Sequence, residues 1–266
     1  EALRSAVCPF VQYFAQAIGQ DFDLRGASVG NMVLAAGYMQ HERCFNPIVS
    51  LFSSLIQVRG HVQLIVPCDL HLRALLRNGQ ELIGQHRITG KEEPPLTVPI
   101  AQLSLVDPAR PDLSVRPCID APAAQRICQA DLICYPMGSF YSSVIANLIP
   151  AGVGQAIALA SCPKIFVPNP SPDPESIGLT LEDQVRILVH YLRMDRPEQI
   201  AVRDVVHGVL LDETASYPGA HTMRSRLKDL GIEVMTARLL DHDQGKIHPE
   251  RLCQALISLV QRSPGT

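Results

Sequence analysis

The sequence predicts an α/β fold: a Rossmann-like, mostly parallel sheet with helices on both faces, and a smaller antiparallel strand region. Three observations lead to this prediction. Short apolar runs alternate with amphipathic segments from residue 121 onward, as in β-α-β units. Residues 62–106 contain a succession of strand-like runs. Residues 1–61 carry apolar residues at helical spacing.

The elements of the first half follow from these patterns. We expect helices over residues 2–18, 29–39 and 47–58, with Pro47 at a first helical position. The four strand-like runs are VQLIV, LHLRALL, QELIGQHRI and VPIAQLSLV. Residues 107–120 hold three prolines and are predicted to form a loop.

The second half alternates regularly between the two kinds of element. The predicted order is helix 121–129, strand 131–135, strand 164–167, helix 180–193, strand 207–211, helix 220–229, strand 232–236 and helix 249–261. We expect one compact α/β unit over residues 1–266. Because the chain begins with Glu1 inside a helical pattern, we expect it to be the C-terminal portion of a longer protein.

Composition excludes several classes of partner. The net charge is −3, the pI is about 6.3 and there is no Trp, so we expect no nucleic-acid partner. Residues 132–163 lack charged side chains, but Pro136, Asn147 and Pro150 interrupt them, which favours buried α/β elements over a membrane span. Eight scattered cysteines are typical of buried, reduced thiols in a cytoplasmic protein. Homodimer formation is left open.

The segment ADLICYPMGSFYSSVIANLIP, residues 130–150, carries the clearest functional pattern. An apolar strand leads through a Pro-Met-Gly-Ser turn to a helical segment. Free N–H groups at a helix start attract anions, so Gly138, Ser139, Ser142 and Ser143 are candidate phosphate ligands. No Lys or Arg lies between Asp131 and Lys164, so backbone and hydroxyl groups would hold the phosphate. The alternative is structural, because most such junctions bind nothing.

This segment resembles the second signature of the CofD-like (2-phospho-L-lactate transferase) superfamily, which has a transferase branch and a gluconeogenesis-factor branch. Three other segments are similar to that family in the same order: GASVGNMVLAAGYM (26–39), VQLIVPCDLHLRALLRNGQELIGQHRITGKE (62–92) and KIFVPNPSPDPESIGLTLEDQV (164–185). The sequences DLHLRALLRNG, GQHRITGKE and PMGSFYSS look closest to a CofD-like branch found beside ATP-grasp-type proteins. The family's opening Gly-rich nucleotide loop and Asp-Asp loop are absent from this chain.

The resemblance implies a transferase that moves a phosphorylated three-carbon acid, of 2-phospholactyl or phosphoenolpyruvyl type, from a nucleotide-linked donor to an acceptor alcohol. It implies Mg²⁺ as cofactor and an acidic catalytic pair in the segment this chain lacks. The turn at Gly138–Ser143 would bind donor phosphates, and Ser28 and Asn31 would line the same crevice. The alternative is a non-catalytic regulatory protein that binds a nucleotide or a UDP-sugar, as the gluconeogenesis factors would.

Two motifs invite a more familiar interpretation. Gly26-Ala-Ser28-Val-Gly30 matches the nucleophile elbow of serine hydrolases, but a poor strand precedes it, so Ser28 as a helix N-cap is the simpler hypothesis. Gly90-Lys91 suggests a P-loop, yet Glu92 replaces the required Ser or Thr, and we reject it. Lys91 stays a candidate substrate ligand beside the alternative of a solvated turn.

Other polar candidates come from the strand regions. His71 and His86 could exchange protons near neutral pH, although lone histidines are more often structural. The family resemblance implies that their region lies near the acceptor pocket, which makes both residues candidate acceptor ligands. The loop after strand 164–167 contains Asn169, a candidate nucleotide ligand at the carboxyl end of a parallel strand. In the same loop Asp173 and Glu175 are weak candidates for Mg²⁺, and a rigid, proline-stiffened connection is the alternative.

Overall fold

The structure is a computed structural model. It describes residues 2–19, 21–25, 27–90, 93–241 and 245–262. The chain divides into two compact units, Glu1–Pro67 and Cys68–Thr266. The division lies close to residue 61, where the sequence predicts the change from helices to strands. That residues 1–266 act as one unit stays a prediction.

The N-terminal unit is helical, as predicted. Its helices are α1 (Ala2–Ala17), α2 (Val29–Gln40) and α3 (Phe45–Leu55). Helices α2 and α3 lie very close together, because a Cβ atom on Gly37 would stand 2.2 Å from Cγ1 of Ile48. Gly37 therefore permits a contact that any larger residue would block.

The C-terminal unit begins with an antiparallel sheet. Its strands are β1 (His71–Leu76), β2 (Glu81–Ile83), β3 (Ile100–Asp107) and β4 (Arg110–Val115), in the order β2-β1-β3-β4. A single helical turn, α4 (Gln85–Ile88), follows β2. The sheet thus has as many strands as the parallel sheet described below.

Three predictions in this region are wrong. Residues 85–88, at the end of the strand-like run QELIGQHRI, form α4. Residues 62–66 form no strand, since they pair with none of the described strands. Residues 110–115, predicted as loop, form β4 despite Pro111. A proline is tolerated there because β4 is an edge strand, and Arg73 further secures it by donating from Nη1 to the carbonyl of Asp112 at 3.1 Å.

The parallel sheet confirms the α/β prediction. It contains β5 (Ile133–Tyr135), β6 (Lys164–Phe166), β7 (Gly208–Asp212) and β8 (Glu233–Ala237), in that order. The accompanying helices are α5 (Ala121–Cys128), α6 (Val153–Leu159), α7 (Leu181–Arg193), α8 (Val202–Val205), α9 (Ala220–Asp229) and α10 (Pro249–Arg262). Between β5 and α6 the chain forms a π-helical turn, Phe140–Val144, and a 3₁₀ turn, Ile145–Leu148.

Apolar packing and two tyrosines join the layers of this unit. Ile165, Val167 and Leu210 are buried, and leucines of α10 pack against them. The hydroxyl of Tyr141 donates to the carbonyl of Ile100 at 3.2 Å. The hydroxyl of Tyr191 donates to the carbonyl of Leu103 at 3.0 Å and accepts from its N–H at 2.7 Å. These hydrogen bonds join β3 of the antiparallel sheet to the π-helical turn after β5 and to α7.

All eight cysteines are free, as predicted. Their environment differs from the prediction, because only Cys162 is fully buried and six are exposed. Within the described residues, no helix combines the length and the apolar character that a membrane span requires.

Candidate functional site

A cavity of about 690 Å³ opens at the carboxyl edge of the parallel sheet. Its walls come from the segments that follow β5, β6 and β7, together with the start of α7. Ligands of open α/β sheets bind at this edge, because the loops that leave parallel strands converge there. The volume is within the usual range for small-molecule sites.

The turn after β5 forms one side of the cavity. Gly138 has a φ of +156°, which residues with a side chain rarely adopt, and it lines the cavity. The carbonyl of Ser139 accepts from the N–H of Ser143 at 3.0 Å, which closes the turn. Ser143 itself is exposed.

The first N–H groups of the next turn bind carboxylates of the protein itself. Oδ2 of Asp173 accepts from the N–H of Phe140 at 2.7 Å. Oε2 of Glu175 accepts from the N–H of Tyr141 at 2.9 Å and from that of Ser142 at 2.8 Å. The hydroxyl of Ser142 donates to Oε1 of Glu175 at 2.6 Å. The loop after β6 is thereby fastened to the turn after β5.

This arrangement bears directly on the predicted phosphate site. The sequence assigned the free N–H groups of this turn to a ligand, whereas the structure gives three of them to Asp173 and Glu175. Ser142 donates to Glu175 with both its N–H and its hydroxyl. A phosphate role for Gly138, Ser139 and Ser143 stays a prediction.

Glu175 is a buried acid, with 1% of its surface exposed. Burial raises the pKa of its carboxyl, the hydrogen bonds from Ser142 lower it, and the negative charge of Asp173 raises it again. The net pKa lies above the ordinary value, since burial is the largest of these effects. The sequence shows no sign of this role, because the partners are more than thirty residues apart in the chain.

Asp212 is a second buried carboxylate at the same edge, at the end of β7. Its Oδ1 accepts from the N–H and the hydroxyl of Thr214 and from the N–H of Ala215. Its Oδ2 accepts from the N–H groups of Leu239 and Leu240 at 2.7 and 2.8 Å. Burial by itself would raise the pKa of Asp212, but these hydrogen bonds outweigh it and lower the pKa to about 2.

The donor set does not fit a Mg²⁺ ion. Both oxygens of Asp173 and both of Glu175 already accept hydrogen bonds from the protein. Among the described residues, no three acidic, His or Cys side chains are grouped as metal ligands would be. Asp173 and Glu175 are therefore structural here, and the expectation of Mg²⁺ does not rest on them.

Ser28 and Asn31 lie in the N-terminal unit. The hydroxyl of Ser28 accepts from the N–H of Asn31 at 3.1 Å and caps α2. The residues described just before Ser28 form no strand, so the nucleophile-elbow hypothesis is wrong and the N-cap alternative is confirmed. Gly26 lies outside the described residues. A crevice shared with Gly138–Ser143 stays a prediction.

The histidine candidates lie away from the cavity. His71 begins β1, His86 lies in α4, and both are exposed. Neither is among the residues that line the cavity. Their role in acceptor binding stays a prediction. Lys91 falls outside the described residues.

Asn169 lines the cavity together with two residues that the sequence did not single out. Gln184 reaches it from the first turns of α7, and Tyr217 from the loop after β7. The side chains of Asn169 and Gln184 form no hydrogen bond with any residue that the structure describes. The carboxyl-end rule that selected Asn169 would also have selected the loop of Tyr217, but no sequence signal marked Gln184.

Two solved structures of Bacillus halodurans proteins resemble this fold. A solved structure of a upf0052-family protein from Bacillus halodurans superposes with a TM-score of 0.66 and 21% identity, covering 92% of this chain and 77% of that one. A second structure of a Bacillus halodurans protein gives a TM-score of 0.67 with 19% identity, covering 96% and 86%. At these identities the similarity concerns the fold.

Sequence comparison extends to named relatives. The gluconeogenesis factor of Bacillus subtilis is 27% identical over 197 residues, which are 72% of this chain and 57% of that protein. The corresponding factor of Listeria monocytogenes is 25% identical over 159 residues, 60% of this chain and 45% of its own length. The chain spans about half the length of the curated relatives it matches. The family model of 2-phospho-L-lactate transferase CofD matches residues 4–240. Because this model covers most of the sequence, the chain belongs to the CofD family.

Proposed function

We propose that this chain forms the substrate-binding part of a CofD-like transferase. The observation that carries the proposal is the cavity at the carboxyl edge of the parallel sheet, in a chain matched by the transferase family over residues 4–240. The enzyme would transfer a phosphorylated three-carbon acid from a nucleotide-linked donor to an acceptor alcohol, as the family resemblance implies.

The reaction balances as a phosphoryl substitution. The oxygen of the acceptor alcohol attacks the phosphorus that carries the three-carbon acid. The bond from that phosphorus to the oxygen of the nucleotide's phosphate breaks, a nucleoside monophosphate leaves, and the alcohol's proton passes to a base or to water. The described residues would contribute binding and orientation, because Asp173, Glu175 and Asp212 all have their oxygens engaged in hydrogen bonds.

The proposal is tested by separating binding from turnover in the full-length protein. Calorimetry with nucleoside diphosphates measures binding, and ³¹P NMR with a nucleotide-linked phosphoenolpyruvate or phospholactate and an alcohol acceptor measures release of nucleoside monophosphate. We expect both binding and release. Binding without release would support the regulatory alternative, and an absence of binding would contradict both the transferase and the regulatory protein.

A blocking variant ties the activity to the cavity. Ser216 is exposed at its edge, so Ser216→Trp would fill the entrance without disturbing the core. We expect this variant to lose binding and turnover together. Ser258→Trp is the control, since Ser258 is exposed on α10 and does not line the cavity. Equal activity in the two variants would place the substrate elsewhere.

A further inference from the structure

The charge of the cavity is unusual for a phosphate site. None of the described residues that line it is Lys, Arg or His. Its one acidic residue, Asp173, has both oxygens engaged in hydrogen bonds. A phosphate inside the cavity would have to leave water without meeting a cation, and nearby carboxylates would repel it.

The walls are suited to a flat, largely apolar group. Phe140, Phe166 and Tyr217 line the cavity, and all three are buried to more than nine-tenths of their surface. Prolines of the segment 168–174 form much of the remaining wall. Rigid rings and prolines lose little conformational entropy when a ligand binds against them, so these walls are suited to an apolar ligand.

Three of the uncharged polar residues that line this apolar space carry side chains suited to such a ligand. The amides of Asn169 and Gln184 have no protein partner among the described residues. The hydroxyl of Tyr217 accepts from the N–H of Asp212 at 3.0 Å, which leaves its own proton for another acceptor. An amide offers one acceptor and two donors side by side, which is the pattern that pairs with a lactam or amidine edge.

We propose that this cavity binds the uncharged heteroaromatic ring of the ligand, of the nucleobase type with a lactam or amidine edge, while the phosphates lie outside it. The inference rests on the proposed function for the identity of the ligand, but it concerns binding alone. It reverses the assignment made from sequence, which gave this turn to the phosphates. The lack of cations and the engaged N–H groups of Phe140, Tyr141 and Ser142 support the reversal.

The test uses phosphate-free ligands and the full-length protein. Uridine, inosine and adenosine are titrated by ligand-observed NMR, with sodium pyrophosphate as the charged comparison. We expect at least one nucleoside to bind and to be displaced by its own diphosphate. Asn169→Ala and Gln184→Ala should each weaken nucleoside binding by about tenfold, the loss of one good hydrogen bond to a bound ligand.

The controls keep failure of this inference distinct from failure of the proposed function. Gln102→Ala is the matched amide control, because Gln102 is exposed on β3 and does not line the cavity. The side chains of Asn169 and Gln184 form no hydrogen bond with the part of the chain that the structure describes, so their variants should keep the melting temperature of the parent. Turnover with an unchanged KM in both variants would overturn the ring assignment and leave the transferase standing. Nucleoside binding that depends on both amides, without turnover, would support the ring assignment and contradict the proposed transferase activity.

Discussion

Two carboxylates, Glu175 and Asp212, stabilise the same edge of the parallel sheet, and their pKa values are shifted in opposite directions. Glu175 fastens the loop after β6 to the turn after β5 through three donors. Asp212 accepts from five donors: three in the turn after β7, and the N–H groups of Leu239 and Leu240, which fasten the end of β7 to the segment after β8. The pKa of Glu175 is raised by its burial, whereas hydrogen bonds lower the pKa of Asp212 to about 2.

The difference shows what decides the charge state of a buried acid. Both side chains are almost completely removed from water, with 1% and 3% of their surfaces exposed. Five donors compensate the lost hydration of Asp212, while three donors and the nearby charge of Asp173 leave Glu175 short of compensation. The cavity therefore has one wall held by a firmly ionised anchor and another held by an anchor sensitive to pH.

Removal of Asp212 should have the largest effect on stability. Asp212→Ala leaves five donors without their acceptor, and we expect the free energy of unfolding to fall by about 4 kcal/mol. Urea unfolding followed by circular dichroism measures it. Asp229→Ala is the control, because Asp229 is exposed at the end of α9. A loss below about 1 kcal/mol in Asp212→Ala would show that water replaces this anchor easily.

Removal of Glu175 should have a smaller effect. We expect Glu175→Ala to lower the free energy of unfolding by about 3 kcal/mol, because fewer donors lose their acceptor. Glu175→Gln should cost about 1 kcal/mol or less, since the amide oxygen still accepts from the N–H groups of Tyr141 and Ser142. The same unfolding measurement applies, with exposed Glu198→Ala as control. Equal losses in the Ala and Gln variants would mean that the charge, and not the acceptor, holds the loop.

The pH dependence of stability should have opposite signs at the two anchors. Asp212 has a lowered pKa, so its contribution of about 2 kcal/mol is present above the unfolded value of 3.8 and disappears as the pH falls toward about 2. Glu175 has a raised pKa, so its ionisation reduces stability as the pH rises from 4.5 through the folded value.

Neutral variants isolate the pH-dependent contributions of these two residues to stability. The disadvantage of Asp212→Asn relative to the parent should shrink below pH 3.8. The stability of Glu175→Gln relative to the parent should increase as the pH rises above 4.5 and then level off. Unfolding curves collected across this range give both differences. Slopes of the same sign would contradict the contrast between the anchors.

The sequence predicted most of the architecture because the signals are local. Alternating apolar runs predict β5 to β8 and the helices α5, α7, α9 and α10, and the structure adds a capping box of Thr180 and Asp183 at the start of α7. Strand β4 was missed because its proline pattern is typical of loops, and only pairing with β3 makes it a strand.

The site was harder to predict because its key contacts are non-local. The turn at Gly138 and the loop at Asn169 line one cavity, and their predicted roles as ligand-binding residues stay predictions. Nothing in the sequence shows that Glu175 occupies the N–H groups of Tyr141 and Ser142, since hydrogen bonds across more than thirty residues leave no pattern. The acidic residues of this loop therefore predict a weak metal site, whereas the structure makes them internal partners of the turn.

A crystal structure of the full-length protein with a bound nucleoside diphosphate tests the central claim most directly. Uridine and guanosine diphosphate are soaked in separate crystals. We expect the base to lie between Phe140 and Tyr217, within hydrogen-bond distance of Asn169 or Gln184, with Glu175 still bound to its N–H partners. Phosphate oxygens on the N–H groups of Tyr141 and Ser142, with Glu175 displaced, would contradict the account.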